Sequence, residues 1–238
     1  MTEAEYWRIY EVIKGEVQTA IRSNHAYLTI HNLAAAETDI FNEMNRFPEF
    51  WTLNTLALQT TFFIVFGRLF DRRRDVYSVH KLVDATIKNP AFFSKTALRE
   101  RKIKSQTDGT EPSWLANYLR QAREPTSADL LSLKTALAPH YGRFKAIYEP
   151  LRHQYFAHRG IQSDAAISAL FERALISDVN EILRFLDTLI LAIYDVAWNG
   201  RLIDLSNHGH YDSFVQDIRG KTESFIRRPR GFPKPKRD

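Results

Sequence analysis

Val179-Asn180-Glu181-Ile182-Leu183-Arg184-Phe185-Leu186-Asp187-Thr188-Leu189-Ile190-Leu191-Ala192-Ile193-Tyr194-Asp195-Val196-Ala197 carries the strongest periodicity in the chain. Val179, Ile182, Leu183, Leu186, Leu189, Ile190, Ile193 and Ala197 recur at three- and four-residue steps, the spacing of one helical face laid against a core. Asn199-Gly200 is a natural stop, because glycine readily ends a helix. Ala165 to Asn199 is therefore expected to be helical, with a break near Ser177-Asp178 where a new N-cap can form.

Toward the N-terminus, Gly160 to Asp164 is expected to turn. Before it, Ser127 caps a long helical segment carrying Leu130, Leu131, Leu133, Leu137, Phe144, Ile147 and Leu151. Pro139 and Pro150 are expected to kink or divide that segment, since each lacks the amide a helix interior needs. Trp114 to about Arg123 reads as a short helix and Ser105 to Pro112 as a loop. Ser78 caps a helix through Ile87, and Asn89-Pro90 opens another through about Ile103.

Phe47-Pro48-Glu49 starts a broad apolar helix ending near Asp71. Upstream, Tyr6, Tyr10, Ile13, Val17, Ala20, Ile21, Tyr27, Leu28 and Leu33 mark a long amphipathic helix to about Glu37. Asn24 and His31 extend its stripe and are expected to point inward. Beyond Gly200, Tyr211 to Ile226 reads as one more helix, and the proline-rich basic tail after it is expected to be disordered by itself. No strand alternation or repeat is present. The reading is an all-α bundle: a helical domain over 1–208 with inserted helices at about 72–126, then a C-terminal helix and basic tail over 209–238.

At 238 residues, with 44% hydrophobic and 26% charged content, a folded globular domain is expected. Absence of cysteine excludes disulfides, cysteine-based zinc sites and a cysteine nucleophile. Met1-Thr2-Glu3-Ala4-Glu5 is acidic and polar, unlike a secretory signal, so a cytoplasmic protein is expected. The apolar run from Leu53 to Phe70 is interrupted by Asn54, Gln59, Thr60, Thr61 and Arg68, and is read as a buried helix rather than a membrane span. Of the net charge of +5, residues 219–238 carry +6, leaving a nearly neutral body.

Leu151-Arg152-His153-Gln154-Tyr155-Phe156-Ala157-His158-Arg159-Gly160 concentrates the chemistry. Arginine offers a permanent charge and a donor fork for phosphate, and imidazole exchanges protons near neutral pH. Together they suggest phosphodiester chemistry without a metal. The plainer alternative is cations stabilising a helix C-terminus. On one straight helix Arg152 and His158 stand about 120° apart and roughly 9 Å along the axis. Local unwinding before Gly160, or a twofold dimer that duplicates the set in one groove, would bring them together. Tyr155 and Arg159 share the Arg152 face, and His153 lies elsewhere on the turn.

Arg72-Arg73-Arg74, and in the tail Arg227, Arg228 and Arg230, are candidate nucleic-acid contacts, with a merely solvated surface as the alternative. No Glu is followed three residues later by His, so no di-iron bundle signature is present, and no cofactor motif is found. No metal or cofactor is expected. His208-Gly209-His210 reads as an ordinary exposed turn.

Arg152 and His158, five residues between them, with polar His153 directly after the arginine and the ending Ala157-His158-Arg159, resemble the Arg-x(4–6)-His signature of the HEPN superfamily. Asparagine or aspartate is more usual than His153 at that position. The long N-terminal helix, then an apolar helix ending Arg68-Leu69-Phe70-Asp71 with Ser78 soon after, is similar to the abortive-infection AbiU-like branch over roughly residues 5–200. The resemblance implies metal-independent endoribonuclease activity by attack of the ribose 2′-hydroxyl, in phage defence or a toxin–antitoxin system. It implies Arg152 and His158 as the catalytic pair, supported by His153, Tyr155 and Arg159, and more weakly by Asp71 and Asn24. RNA, a second copy of the chain and an antitoxin or regulatory protein are the partners it implies. The alternative is a non-catalytic bundle that binds RNA, nucleotide or a protein.

Overall fold

The computed structural model describes residues 1–107, 109–157 and 164–227. Helix α1 (Glu3–Ala36) begins at Thr2, whose hydroxyl accepts from the Glu5 amide while the Glu5 carboxylate accepts from the Thr2 amide, a reciprocal cap that satisfies two orphan donors. A short α2 (Thr38–Asn45), not foreseen from the periodicity, leads to α3 (Pro48–Leu69), opened by Pro48. Ser78 caps α4 (Val79–Lys88) as expected.

The helix read from Pro90 to Ile103 is two pieces, a 3-10 turn Pro90–Phe93 and α5 (Lys95–Lys104). Ser94, extended and accepting from the Ala97 amide, restarts the helix there. Then follow α6 (Leu115–Gln121) and α7 (Ser127–Arg143). The cap of α7 is Thr126 rather than Ser127, because the Thr126 hydroxyl receives the Asp129 amide.

Pro139 does not divide α7. The carbonyl that its missing amide would have bonded belongs to Thr135, and both residues are exposed, so water can serve it. Past Arg143 the chain stays helical but widens into a π-turn over Phe144–Tyr148. It then passes through α8 (Glu149–Leu151) and a second π-segment over Arg152–Ala157.

After α9 (Asp164–Glu172) the break lies at 173–175, a little earlier than Ser177, and α10 (Ile176–Asn199) follows. α10 ends at Gly200 with φ 56°. A Cβ there would also sit 2.5 Å from that of Ala122, so glycine is required twice over. α11 (Gly209–Ile226) completes the described chain, which holds no strand among those residues.

One core joins α1, α3, α4, α7, α10 and α11. Tyr6, Tyr10, Ile13 and Val17 of α1 meet Phe62, Phe66 and Leu69 of α3, Ile182, Leu186 and Ile193 of α10, and Tyr211 and Val215 of α11. Val79 and Leu82 of α4 and Leu133 and Leu137 of α7 belong to the same cluster. Tyr10 donates its hydroxyl to the Ile190 carbonyl at 3.2 Å. Arg101 of α5 is buried between the Trp7 and Trp198 rings, pairs with Glu3 and donates to the Ala197 carbonyl. It thereby clasps α1, α5 and α10, and a buried cation needs such partners.

Three expectations about which residues face inward or outward change. His31 is exposed, and the histidine that enters the core is His25, 1% exposed, with Nε2 2.9 Å from the Tyr211 hydroxyl. α3 is not buried throughout: Trp51, Phe62, Phe63, Val65, Phe66 and Leu69 are, whereas Phe50, Leu53 and Leu56 are exposed, as are Phe47 and Phe41 before them in the chain. Among the described residues α3 is the one helix long and apolar enough to cross a membrane, with 33% of its apolar window buried. Lastly, His208 and His210 are more than an exposed turn. They clip α11 to α10 through Thr188 at 2.9 Å and buried Asp187 at 2.8 Å.

Candidate functional site

Pro150 explains why Arg152 stands where it does. Without an amide, Pro150 leaves the Ala146 carbonyl without its α-helical donor, and the Arg173 guanidinium supplies one at 3.2 Å. The Glu149 amide reaches back five residues to Phe144, and the wide register resumes at Arg152. Such π-turns cluster at functional sites. Arg173 was not singled out from the sequence, and its one visible signal was a cation in the interval between two helices.

Arg152 lies across α3 at Gly67. A Cβ on Gly67 would stand 2.1 Å from Arg152 Cδ and 2.2 Å from Nε, so only glycine admits this arrangement. The Arg152 Nε is buried and has no hydrogen-bond partner, whereas one terminal nitrogen is 3.3 Å from His153 Nε2. Arginine can only donate, so in that bond His153 Nε2 is the acceptor and the imidazole proton is on Nδ1. The straight-helix reading put His153 away from Arg152. The i→i+5 register widens each turn and changes the angular step, and the two side chains meet.

Asp71, just past the end of α3, feels the Arg152 charge. Burial alone would raise its pKa, but hydrogen bonds from the Arg73 side chain and amide, and the charges of Arg73 and Arg152, hold the carboxyl below its usual range.

Tyr155 and Phe156 turn to other work. Phe156 stacks on Phe63 of α3, centroids 4.1 Å apart and planes within 13°. Tyr155 meets Phe171 edge-on at 5.2 Å. Asn24 is buried on α1, where its amide donates to Asn180 at 3.3 Å. His158 and Arg159 lie outside the described residues, as do Arg228 and Arg230. Arg227 is engaged by Glu37 at the far end of α1.

Arg72, Arg73 and Arg74 line a cleft of about 550 Å³ together with Ser78, Lys81 and Lys88. Arg72 sits over the Tyr141 ring at 5.2 Å, and Lys81 donates to the Arg74 carbonyl. His80 is on the wall, with its Nε2 buried and unpartnered. Burial chiefly, with the Arg72 charge behind it, pushes its pKa down to about 4. Such a cleft concentrates positive potential, and through Asp71 it adjoins Arg152.

The AbiU2 profile of the HEPN class matches residues 4–219. The chain belongs to the HEPN AbiU2 family. No curated protein and no solved structure matches it. Membership accounts for the all-α architecture and associates the chain, at family level, with abortive infection. Within this HEPN chain the family match takes in Gly67, Asp71, Arg152 and His158 alike.

Proposed function

We propose that this HEPN protein is a metal-independent endoribonuclease acting in phage defence or a toxin–antitoxin pair. The observation that carries the reading is the Arg152 side chain, seated in the notch at Gly67 with Nε dry and its terminal nitrogen turned to His153. A guanidinium held that way is preorganised to meet charge developing on phosphate oxygen. His158, at the motif spacing, is the proton-transfer group.

In the reaction the 2′-hydroxyl oxygen attacks the adjacent phosphorus, its proton passes to a base, and the bond to the 5′-oxygen breaks as that oxygen takes a proton. The products are a 2′,3′-cyclic phosphate and a 5′-hydroxyl. One histidine per chain cannot accept and donate at the same moment. A twofold dimer presenting two Arg152/His158 sets to one groove supplies both roles. The exposed apolar run Phe47, Phe50, Leu53 and Leu56 supports association, since contiguous apolar surface commonly marks an interface. The Arg72–Arg74 cleft, with the basic tail, carries the RNA backbone, and a regulatory protein restrains the enzyme in growing cells.

The test is cleavage of an RNA substrate in EDTA by wild type and His158→Ala, with the circular-dichroism spectrum of each. Loss of cleavage with an intact helical spectrum supports the reading. An unaffected rate sinks the assignment of His158, and no cleavage by wild type favours a non-catalytic binding bundle.

A further inference from the structure

A second cavity, of about 200 Å³, lies between α1, α3 and the start of α10, lined by Asn24, Tyr27, Gln59, Phe62, Phe63 and Phe171 among others. It is smaller than the roughly 300–1,000 Å³ of sites for drug-sized ligands, which suits a single planar ring system. Its walls are aromatic and aliphatic in nearly equal share, and two carboxamides stand among them. The Gln59 carboxamide makes no hydrogen bond within the described chain, and Asn24, having donated to Asn180, keeps its Oδ1 unbonded. A carboxamide offers a donor and an acceptor side by side, which matches the edge of a nucleobase.

The position gives this chemistry a context. Phe63, on the cavity wall, also stacks on Phe156 of the motif segment. Four residues further along α3, about 6 Å at helical rise, is Gly67 with the Arg152 guanidinium across it. Phe171, on the opposite wall, is the ring against which Tyr155 packs. An unpaired nucleotide with its phosphate near Arg152 has its base within reach of this opening, and single-stranded RNA is read by splaying bases onto aromatic side chains.

We propose that the cavity is a nucleobase pocket that selects one base of the RNA strand beside the bond presented to Arg152. The inference rests on the ribonuclease reading for its purpose, but its ligand chemistry stands on the cavity itself. Gln59 and Asn24 act as specificity-determining residues and take no part in bond breaking.

The experiment titrates the four nucleoside 5′-monophosphates into the full-length protein by calorimetry. It also measures cleavage of single-stranded RNAs that differ in the base at one position. Wild type is compared with Gln59→Leu, which removes the carboxamide at nearly constant volume, and with Ala174→Trp, which fills the cavity from its lining. One monophosphate is expected to bind in preference to the rest. Its affinity falls about tenfold in Gln59→Leu and is lost in Ala174→Trp, with thermal unfolding of Gln59→Leu unchanged. Base preference in cleavage relaxes in the same variant while total cleavage persists. Equal affinity in wild type and Gln59→Leu for every monophosphate, or no binding at all, overturns the pocket. Selective binding lost in the variants, by a wild type that does not cut RNA, upholds the pocket and removes the ribonuclease. Cleavage with no base preference and no response to either substitution does the reverse.

Discussion

The Arg152 side chain occupies the space a Cβ on Gly67 would take, with Cδ only 2.1 Å from that position. The residues are far apart in sequence and belong to different helices, so the notch in α3 and the arginine that fills it are one device. The clash falls on Cδ, Nε and Cζ, so a Cβ on Gly67 forces the guanidinium end of the side chain to move.

Gly67→Ala therefore separates two effects of opposite sign. As a helix residue alanine gains about 1 kcal/mol over glycine, yet it displaces Arg152. Cleavage is expected to drop at least about tenfold, near 1.4 kcal/mol in barrier, while the melting temperature moves little. An unaltered rate with raised stability would show that Arg152 needs no seat on α3.

Arg152→Lys keeps the charge and loses the fork. Lysine has one terminal nitrogen and no planar pair to share between phosphate and His153. RNA binding at low salt is expected to persist and single-turnover cleavage to fall by about 10² or more, the scale of losing a preorganised donor. Full activity in the lysine enzyme would reduce Arg152 to a point charge.

Acid stability follows from His25. Burial first, and the Arg219 charge next, push its pKa down to about 4. An unfolded histidine titrates near 6.5, so between about pH 6.5 and 4 the unfolded chain binds the extra proton and folding stability declines as pH falls. Above that window the group contributes no slope. For this fully buried ring the loss is on the order of 3 kcal/mol, and His80 adds in the same direction. Urea melts at pH 7, 6, 5 and 4 should show the decline, with a shallower slope in His25→Gln. Parallel slopes would assign the acid sensitivity to other groups.

Replacing Arg72, Arg73 and Arg74 by glutamine tests the cleft. For a single strand, every cation withdrawn from a backbone phosphate reduces the slope of log affinity against log salt by about 0.7. The same measurement on a chain ending at residue 227 tests the tail. Whichever change leaves the slope intact does not touch the RNA backbone.

Leu53→Asp places a charge on a side chain that is 67% exposed in the single chain. The folded monomer should tolerate it, and a twofold interface along the first half of α3 should not. Light scattering at micromolar concentration is expected to report a dimer for wild type and a monomer for the variant. A wild-type monomer would remove the shared-groove arrangement.

The helical class, the cap at Ser78, the stop at Gly200 and the Arg152/His158 spacing were all legible in the sequence, whereas the cap at Thr2 was not read there. These depend on neighbours within one or two turns, where periodicity and side-chain-to-backbone bonds act. It also carried the family, because a motif and the order of helices around it are linear information. Packing settled which polar groups on α1 turn inward, His25 toward Tyr211 in place of His31, and that Phe50, Leu53 and Leu56 in the first half of α3 stay exposed. It decided that Arg173 takes the carbonyl orphaned by Pro150, and that the resulting wide turn brings His153 to Arg152. Those pairings join groups distant in the chain. Hydrogen-bond balance and excluded volume select them only once the helices are packed, and no local pattern announces that Gly67 is small because Arg152 lies over it.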